Sequence, residues 1–255
     1  MAYTRTGKCI WCGRMVDEGA TFNTISHILP KGLGGEETGF DVCDECNHYF
    51  GTAEKGLPNM DLVFKEVFNI SKLLCSNDRN ENSYKNFSSL FFRYYYSKNK
   101  IVIKDIFKWK QQAITVQFKR SLYEVFLQKY HLLTGDGNNP KFAAVRDYAR
   151  YCRGNLRVFY LFNIVILVED RGVPPVLCMN EKTIENMNYY GVFLFWFWGF
   201  PLFLEIFPTV FNVKGMNFLR NEAEQLLIYA KGNERIIELT NIMQLDFLMT
   251  RFNDR

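Results

Sequence analysis

The chain has 255 residues, 48% of them apolar and 23% charged, with a formal net charge of +4. That length suits one large domain or two small ones, and the apolar content supplies a sizeable core. No basic stretch leading into an apolar one opens the chain, which argues against a secretory signal and sets a cytoplasmic expectation. Four of the seven cysteines lie in paired knuckles, so they read as metal ligands in a reducing compartment rather than as disulfides.

Charge is unevenly spread. Residues 1–70 carry six Lys/Arg against ten Asp/Glu, whereas residues 72–157 carry seventeen against six. A basic middle beside a cysteine-rich head points to a polyanionic partner, with an ordinary solvated basic surface as the plainer reading.

In chain order, residues 1–56 read as a compact metal-stapled module. Within it, residues 21–28 suit a short strand ending at Pro30. Lys31, Gly32, Leu33, Gly34 and Gly35 form a turn-rich loop. Residues 44–55 suit a helix with Asp44 and Glu45 at its positive end, weakened or ended by Gly51 and Gly56. Residues 61–74 have helical apolar spacing (Leu62, Val63, Val67, Ile70, Leu74). The polar run 76–83 marks a boundary, giving a first unit at 1–75 and a second at 76–255.

The second unit begins with an aromatic and basic stretch, 84–108, whose clearest strand is 101–103. Residues 111–130 carry the helical stripe Ile114, Phe118, Leu122, Val125 and Phe126. Pro140 suits the start of a helix reaching Cys152, with Phe142, Val145, Ala149 and Cys152 on one face. Residues 158–168 read as a buried strand, and 176–179 can pair back onto it. The apolar run 192–207 is too short for a membrane span and holds Pro201 and Glu205, so it reads as two strands turning near Gly199. Residues 222–229 and 236–247 read as helices. Cys75, Cys152 and Cys178 read as buried thiols. The fold class expected is α+β.

Two side-chain constellations carry chemistry. Cys9, Cys12, Cys43 and Cys46 form two Cys-x-x-Cys knuckles that suit a closed tetrahedral zinc and tie off the intervening loop. On the expected helix at 140–152, Arg146, Arg150 and Arg153 recur at steps of four and three, with Arg157 beyond. They make a stripe that can follow phosphates or meet an acidic protein. Lys119 and Arg120, with Lys104, Lys108 and Lys110, add charge. Phe91, Phe92, Tyr94, Tyr95 and Tyr96 can stack on bases, although such runs more often belong to a core.

Residues Cys9 to Gly51 resemble the HNH (ββα-metal, or His-Me finger) endonucleases. The similar branch runs Cys-x-x-Cys, then acid-His-Ile-x-Pro-x-x-Leu-Gly-Gly, then Cys-x-x-Cys-Asn and a nearby Gly. The chain reads Cys9, Cys12, then Ser26, His27, Ile28, Leu29, Pro30, with Leu33, Gly34 and Gly35 following, then Cys43, Cys46, Asn47 and Gly51. The resemblance implies a zinc-stapled ββα module, followed here by a mixed α+β region. It implies phosphodiester hydrolysis with His27 as general base, Asn47 beside it, and a divalent cation such as Mg2+.

Ser26 stands where the family pattern has a metal-ligating acid or histidine. Asn47 and His48 are the remaining metal-ligand candidates, although neighbouring helical residues point about 100° apart. Asp41 and Asp44 read as loop and helix-terminal charges. The implied partner is nucleic acid, DNA in preference to RNA, with no membrane. Such nucleases act in defence, mobile elements or phage biology. A binding protein with a degenerate HNH module, a zinc ribbon without catalysis, and a nuclease subunit of a larger ATPase-gated assembly or homo-oligomer stay open.

Overall fold

A computed structural model describes residues 3–53, 58–75, 86–95, 97, 100–162, 179–197, 200–227 and 235–245. The fold is α+β, built from small antiparallel sheets and helices around one long central helix. The N-terminal module contains strands β1 (Ser26–His27) and β2 (Thr38–Gly39) and helix α1 (Asp44–Gly51). The strand expected over 21–28 shrinks to two residues, because residues 21–24 are held instead by the Asp44 carboxylate. Helix α2 (Met60–Cys75) follows as expected. A hairpin of β3 (Phe92–Tyr95) and β4 (Lys100–Ile103) then leads through a 3-10 turn, Asp105–Lys110, into α3 (Gln111–Thr134).

Helix α3 is the hub. Its apolar stripe is buried as expected, but every residue from Gln117 to His131 is buried as well. A helix buried on all sides must satisfy its polar side chains within the protein. Gln117 donates to Pro58 O at 3.2 Å, Lys119 to Asn155 Oδ1 at 3.2 Å, and Ser26 Oγ donates to Gln128 Oε1 at 2.9 Å. Lys129 pairs with Glu37, and His131 meets Asp41.

Beyond α3, a 3-10 turn starting at Pro140 runs into α4 (Ala143–Tyr151). Phe142, Val145 and Ala149 are buried as expected, whereas Cys152 adopts a left-handed φ of 53° and is exposed. The reading of Cys152 as a buried thiol on that face is therefore corrected: the chain leaves the helix one residue earlier and turns the side chain outward. Cys75 lies at the end of α2, its side chain outside the described residues, and Cys178 lies outside them altogether.

The C-terminal part is a four-stranded antiparallel sheet in the order β6-β7-β5-β8. The strands are β5 (Val158–Phe162), β6 (Val192–Phe197), β7 (Phe200–Glu205) and β8 (Arg235–Glu238). The 192–207 run is the expected hairpin, with Phe193 opposite Leu204 and Phe195 opposite Leu202. Its Phe193, Phe195 and Phe197 share one face and join the main core, as alternation requires. The opposite face packs Phe159, Val192 and Phe203 against Phe211 and Leu219, the last on α6 (Val213–Leu227). Helix α5 (Glu181–Tyr190), capped by Asn180, leads into β6.

The helix expected over 236–247 is replaced by β8 and a 3-10 turn, Ile242–Gln244. Arg235–Glu238 takes the open edge of β5, whose backbone groups would otherwise lack partners. The expected strand at 163–168, the pairing segment at 176–178 and the boundary at 76–83 lie outside the described residues. One hydrophobic core includes residues from Cys9 to Leu245, and α2 packs directly on α3. No described helix is long and apolar enough to cross a membrane.

Candidate metal knuckle and histidine site

The four sulfurs of Cys9, Cys12, Cys43 and Cys46 all lie within 4.8 Å of one another, and Cys9, Cys43 and Cys46 are buried. A tetrahedral zinc with Zn–S bonds of about 2.3 Å sets sulfur–sulfur edges near ~3.8 Å. Cys12 Sγ and Cys43 Sγ are 3.7 Å apart. The donor set therefore fits a closed structural zinc, with Cys9, Cys12, Cys43 and Cys46 as its ligands. Hydrogen bonding from Cys43, Cys46 and Cys9 pulls the Cys12 thiol strongly down, and bonding to Cys12 and Cys43 pushes Cys46 strongly up. Four thiolates this close would repel one another without a cation. A divalent ion resolves this by taking all four as thiolates.

A zinc with four thiolates carries a net charge of −2, and the surroundings answer it. Arg150 Nε donates to Cys46 Sγ at 3.4 Å, Cys43 N donates to Cys9 Sγ at 3.4 Å, and Arg14 pairs with Glu45 beside the knuckle. The Arg150 guanidinium lies 3.8 Å above the Tyr49 ring. The Tyr49 hydroxyl in turn accepts from Arg120 Nη2 at 2.5 Å.

This placement corrects the expected basic stripe. Arg120 is buried and also donates to Ala149 O and Gln117 Oε1. Lys119 is buried against Asn155 and Tyr148. Arg146 ties down Gly137 O and Asn139 O, and Arg157 forms an ion pair of 2.6 Å with Glu205. Of the stripe, Arg153 is exposed, near the ring of Tyr151. The charges of Lys119, Arg120, Arg146 and Arg150 are thus directed into the protein, where they hold α3, α4 and the knuckle together. Phe91 and Phe92 are likewise core residues, not stacking platforms.

Between the knuckles, β1 pairs with β2 as Ser26 with Gly39 and His27 with Thr38. Successive strand residues point to opposite faces. Ser26 is therefore buried against Gln128 on α3, while His27 turns the other way and is half-buried. Gly39 allows this approach, since a Cβ there would meet Gln128 Oε1 at 2.6 Å. Gly35 allows the turn, since a Cβ there would lie 2.2 Å from Leu29 O. The Nδ1 atom of His27 is sealed from solvent and has no hydrogen-bond partner among the described residues. Burial first, then the charge of Lys31, lowers the His27 pKa below its ordinary value of 6.5. The ring is consequently neutral at physiological pH, with Nε2 as the nitrogen that can exchange a proton.

Asn47 on α1 faces the same strand: its Nδ2 donates to Thr24 Oγ1 at 3.0 Å and to Ile25 O at 3.2 Å. This fixes the amide and leaves Oδ1 as its acceptor. His48 is exposed on another side of α1, with Nε2 3.3 Å from Thr52 Oγ1. Asp44 Oδ1 accepts from Asn23 N, Thr24 N and Thr24 Oγ1, and Oδ2 accepts from Thr21 Oγ1. Burial pushes its pKa up, but these bonds outweigh burial and hold it at about 2. Among the described residues no second cluster of three His, Cys, Asp or Glu stands beside His27. With Ser26 turned inward and both Asp44 oxygens engaged, the residues around His27 do not fit a protein-held octahedral cation.

Sequence reasoning missed the Asp41–His131 pair. Both are fully buried, and His131 Nε2 lies 2.9 Å from Asp41 Oδ2. His131 Nδ1 accepts from Gly137 N at 3.0 Å, so Nε2–H donates to Asp41. Asp41, at φ 55°, also accepts from Arg5 N, Thr6 N, Thr6 Oγ1 and Gly7 N. It is a buried anchor, not a loop charge. No local signal announces it, because its partners lie 34 to 90 residues away.

Residues 9–55, less than a quarter of the chain, match the family model described as HNH endonuclease. No curated protein and no solved structure gave a match.

Proposed function

We propose that the chain is an HNH-type endonuclease that hydrolyses phosphodiester bonds of nucleic acid, DNA in preference to RNA. The observation that supports this best is the state of His27. It is a half-buried, neutral imidazole with one nitrogen sealed, on a loop framed by the four cysteines and within the stretch that the HNH family model matches. In this reading His27 Nε2 takes a proton from the attacking water. The Asn47 amide, tied to Thr24 and Ile25, keeps α1 and β1 in register so that the imidazole stays aimed. The structural zinc fixes both ends of the loop and takes no part in the chemistry.

The HNH family implies a divalent cation, Mg2+ being the one expected here. Of the expected ligands, Asn47 Oδ1 stands near His27, whereas His48 lies on another side of α1.

The test is plasmid cleavage with Mg2+ or Mn2+ and an EDTA control, comparing the intact protein with His27→Ala. Loss of a general base costs about 10²- to 10⁴-fold, so nicking should fall by at least about 100-fold in His27→Ala. Cleavage unchanged in that variant overturns the reading. A second reading has its own observation: Ser26 faces the core, so the module can bind nucleic acid without cutting it. Zinc bound, DNA retained and no cleavage under any cation would select that reading.

A further inference from the structure

The basic residues of α3 and α4 mostly face inward, whereas Arg93 and Lys108, on a second basic region, are exposed. Residues 93–110 carry six Lys/Arg against a single Asp. Arg93 and Tyr95 stand on the outer face of β3, with Arg93 Nη1 3.3 Å from the Tyr95 hydroxyl and its guanidinium 5.9 Å from the ring centre. The 3-10 turn Asp105–Lys110 is tied to the start of β3 through the Phe107–Phe91 ring contact and Lys104 N on Phe91 O, and Arg93 and Tyr95 feel the charges of Asp105 and Lys108.

A 3-10 turn has three residues per turn, so side chains three apart line up. Phe107 points inward onto Phe91. Asp105 and Lys108 pair with each other at 2.7 Å. Ile106 and Trp109 form the remaining row and are 67% and 76% exposed, among the most exposed large apolar side chains described. Lys110 Nζ sits 4.8 Å from the Trp109 ring centre. An exposed indole with a lysine over its ring, on the same hairpin-and-turn unit as an arginine-backed tyrosine, has the composition of a stacking platform within a cationic field.

We propose that Arg93, Tyr95, Ile106, Lys108, Trp109 and Lys110 form a binding surface for a single-stranded segment of nucleic acid. Trp109 stacks on an unpaired base and the lysines follow the phosphates. A single strand fits better than a duplex, because a protruding indole needs an unpaired base face. Charge complementarity selects a polyanion, and the apolar row selects one with flat apolar faces. The proposal rests on the nuclease reading only in taking nucleic acid as the ligand.

Binding of a fluorescein-labelled oligothymidine is measured by anisotropy on protein carrying His27→Ala, so that nothing is cut. A failure of the cleavage assay therefore leaves this measurement intact. Trp109→Ala should weaken binding about tenfold, and Trp109→Phe should recover most of it, because a phenyl ring still stacks. Lys108→Ala and Lys110→Ala should each lower the slope of log affinity against log salt by about 0.7. The proposal is overturned if Trp109→Ala binds like its parent or if a duplex of equal length binds equally with the same Trp109 dependence. It also fails if the Trp109-dependent ligand proves to be polyglutamate or phosphatidylserine vesicles instead.

Discussion

His27 and Ser26 are neighbours in sequence with opposite fates. The strand sends Ser26 to Gln128 in the core and His27 toward solvent, so only one of the two is available to a substrate. Because burial lowers the His27 pKa, the proposed base is lost only when pH falls through a value below 6.5. The acid limb of the pH–rate profile should therefore have its midpoint below 6.5, and a midpoint above that value would contradict the site described. Asp41 makes the strongest residue-scale stability prediction. It accepts from three backbone N–H groups, the Thr6 hydroxyl and His131, so Asp41→Ala leaves several buried donors unpaired. That substitution should cost about 3 kcal/mol or more, read as a lower midpoint in urea with an unchanged slope.

At the scale of elements, the knuckle and the loop it closes behave as a unit. One zinc per chain should be found by elemental analysis, and Cys46→Ser should abolish it. Structural zinc binding is worth about 10–16 kcal/mol in small modules, so chelation or Cys46→Ser should lower the melting temperature by more than about 10 °C. Arg150 is the electrostatic partner of that unit, through Cys46 and Tyr49. The turn after β1 depends on Gly35, where an added methyl group would collide with Leu29 O. Gly35→Ala should destabilise by about 2 kcal/mol, with a matching loss of cleavage as β1 shifts. Helix α3 shows why periodicity alone misled: a stripe of apolar residues marks one buried face but does not show whether the other faces are also covered.

For the molecule as a whole, the N-terminal module packs onto α3. Ser26, Glu37 and Asp41 all reach residues of that helix. Asp41 and Asp44 have folded pKa values below their ordinary value of 3.8. For Asp41 burial acts upward, and the bonds from His131, Thr6 and Arg5 prevail. Each group contributes stability that is present above about pH 4 and lost as pH falls through its folded value. Unfolding in acid should therefore steepen below about pH 4, and Asp44→Asn should flatten that dependence in a pH series of thermal melts.

The sequence by itself determined what rests on short-range spacing. Each knuckle pairs two sulfurs by local turn geometry, Asp44 begins a helix, Pro140 starts a 3-10 turn, and the apolar run at 192–207 is short and broken near Pro201, as a hairpin can be. The place of His27 in the loop was legible for the same reason. Only the tertiary structure decided which charges face water. Lys119, Arg120, Arg146 and Arg150 look alike in sequence to Lys108 and Lys110. Yet the first four meet carbonyls, an amide, a hydroxyl or a sulfur contributed by distant segments, whereas Lys108 is exposed in a local pair with Asp105 and Lys110 lies over the exposed indole. Residues 235–238 became a strand because β5 offered an open edge. Spacing acts over a few bonds and can be read along the chain. Burial and pairing depend on what other segments bring, and those arrive only when the chain folds.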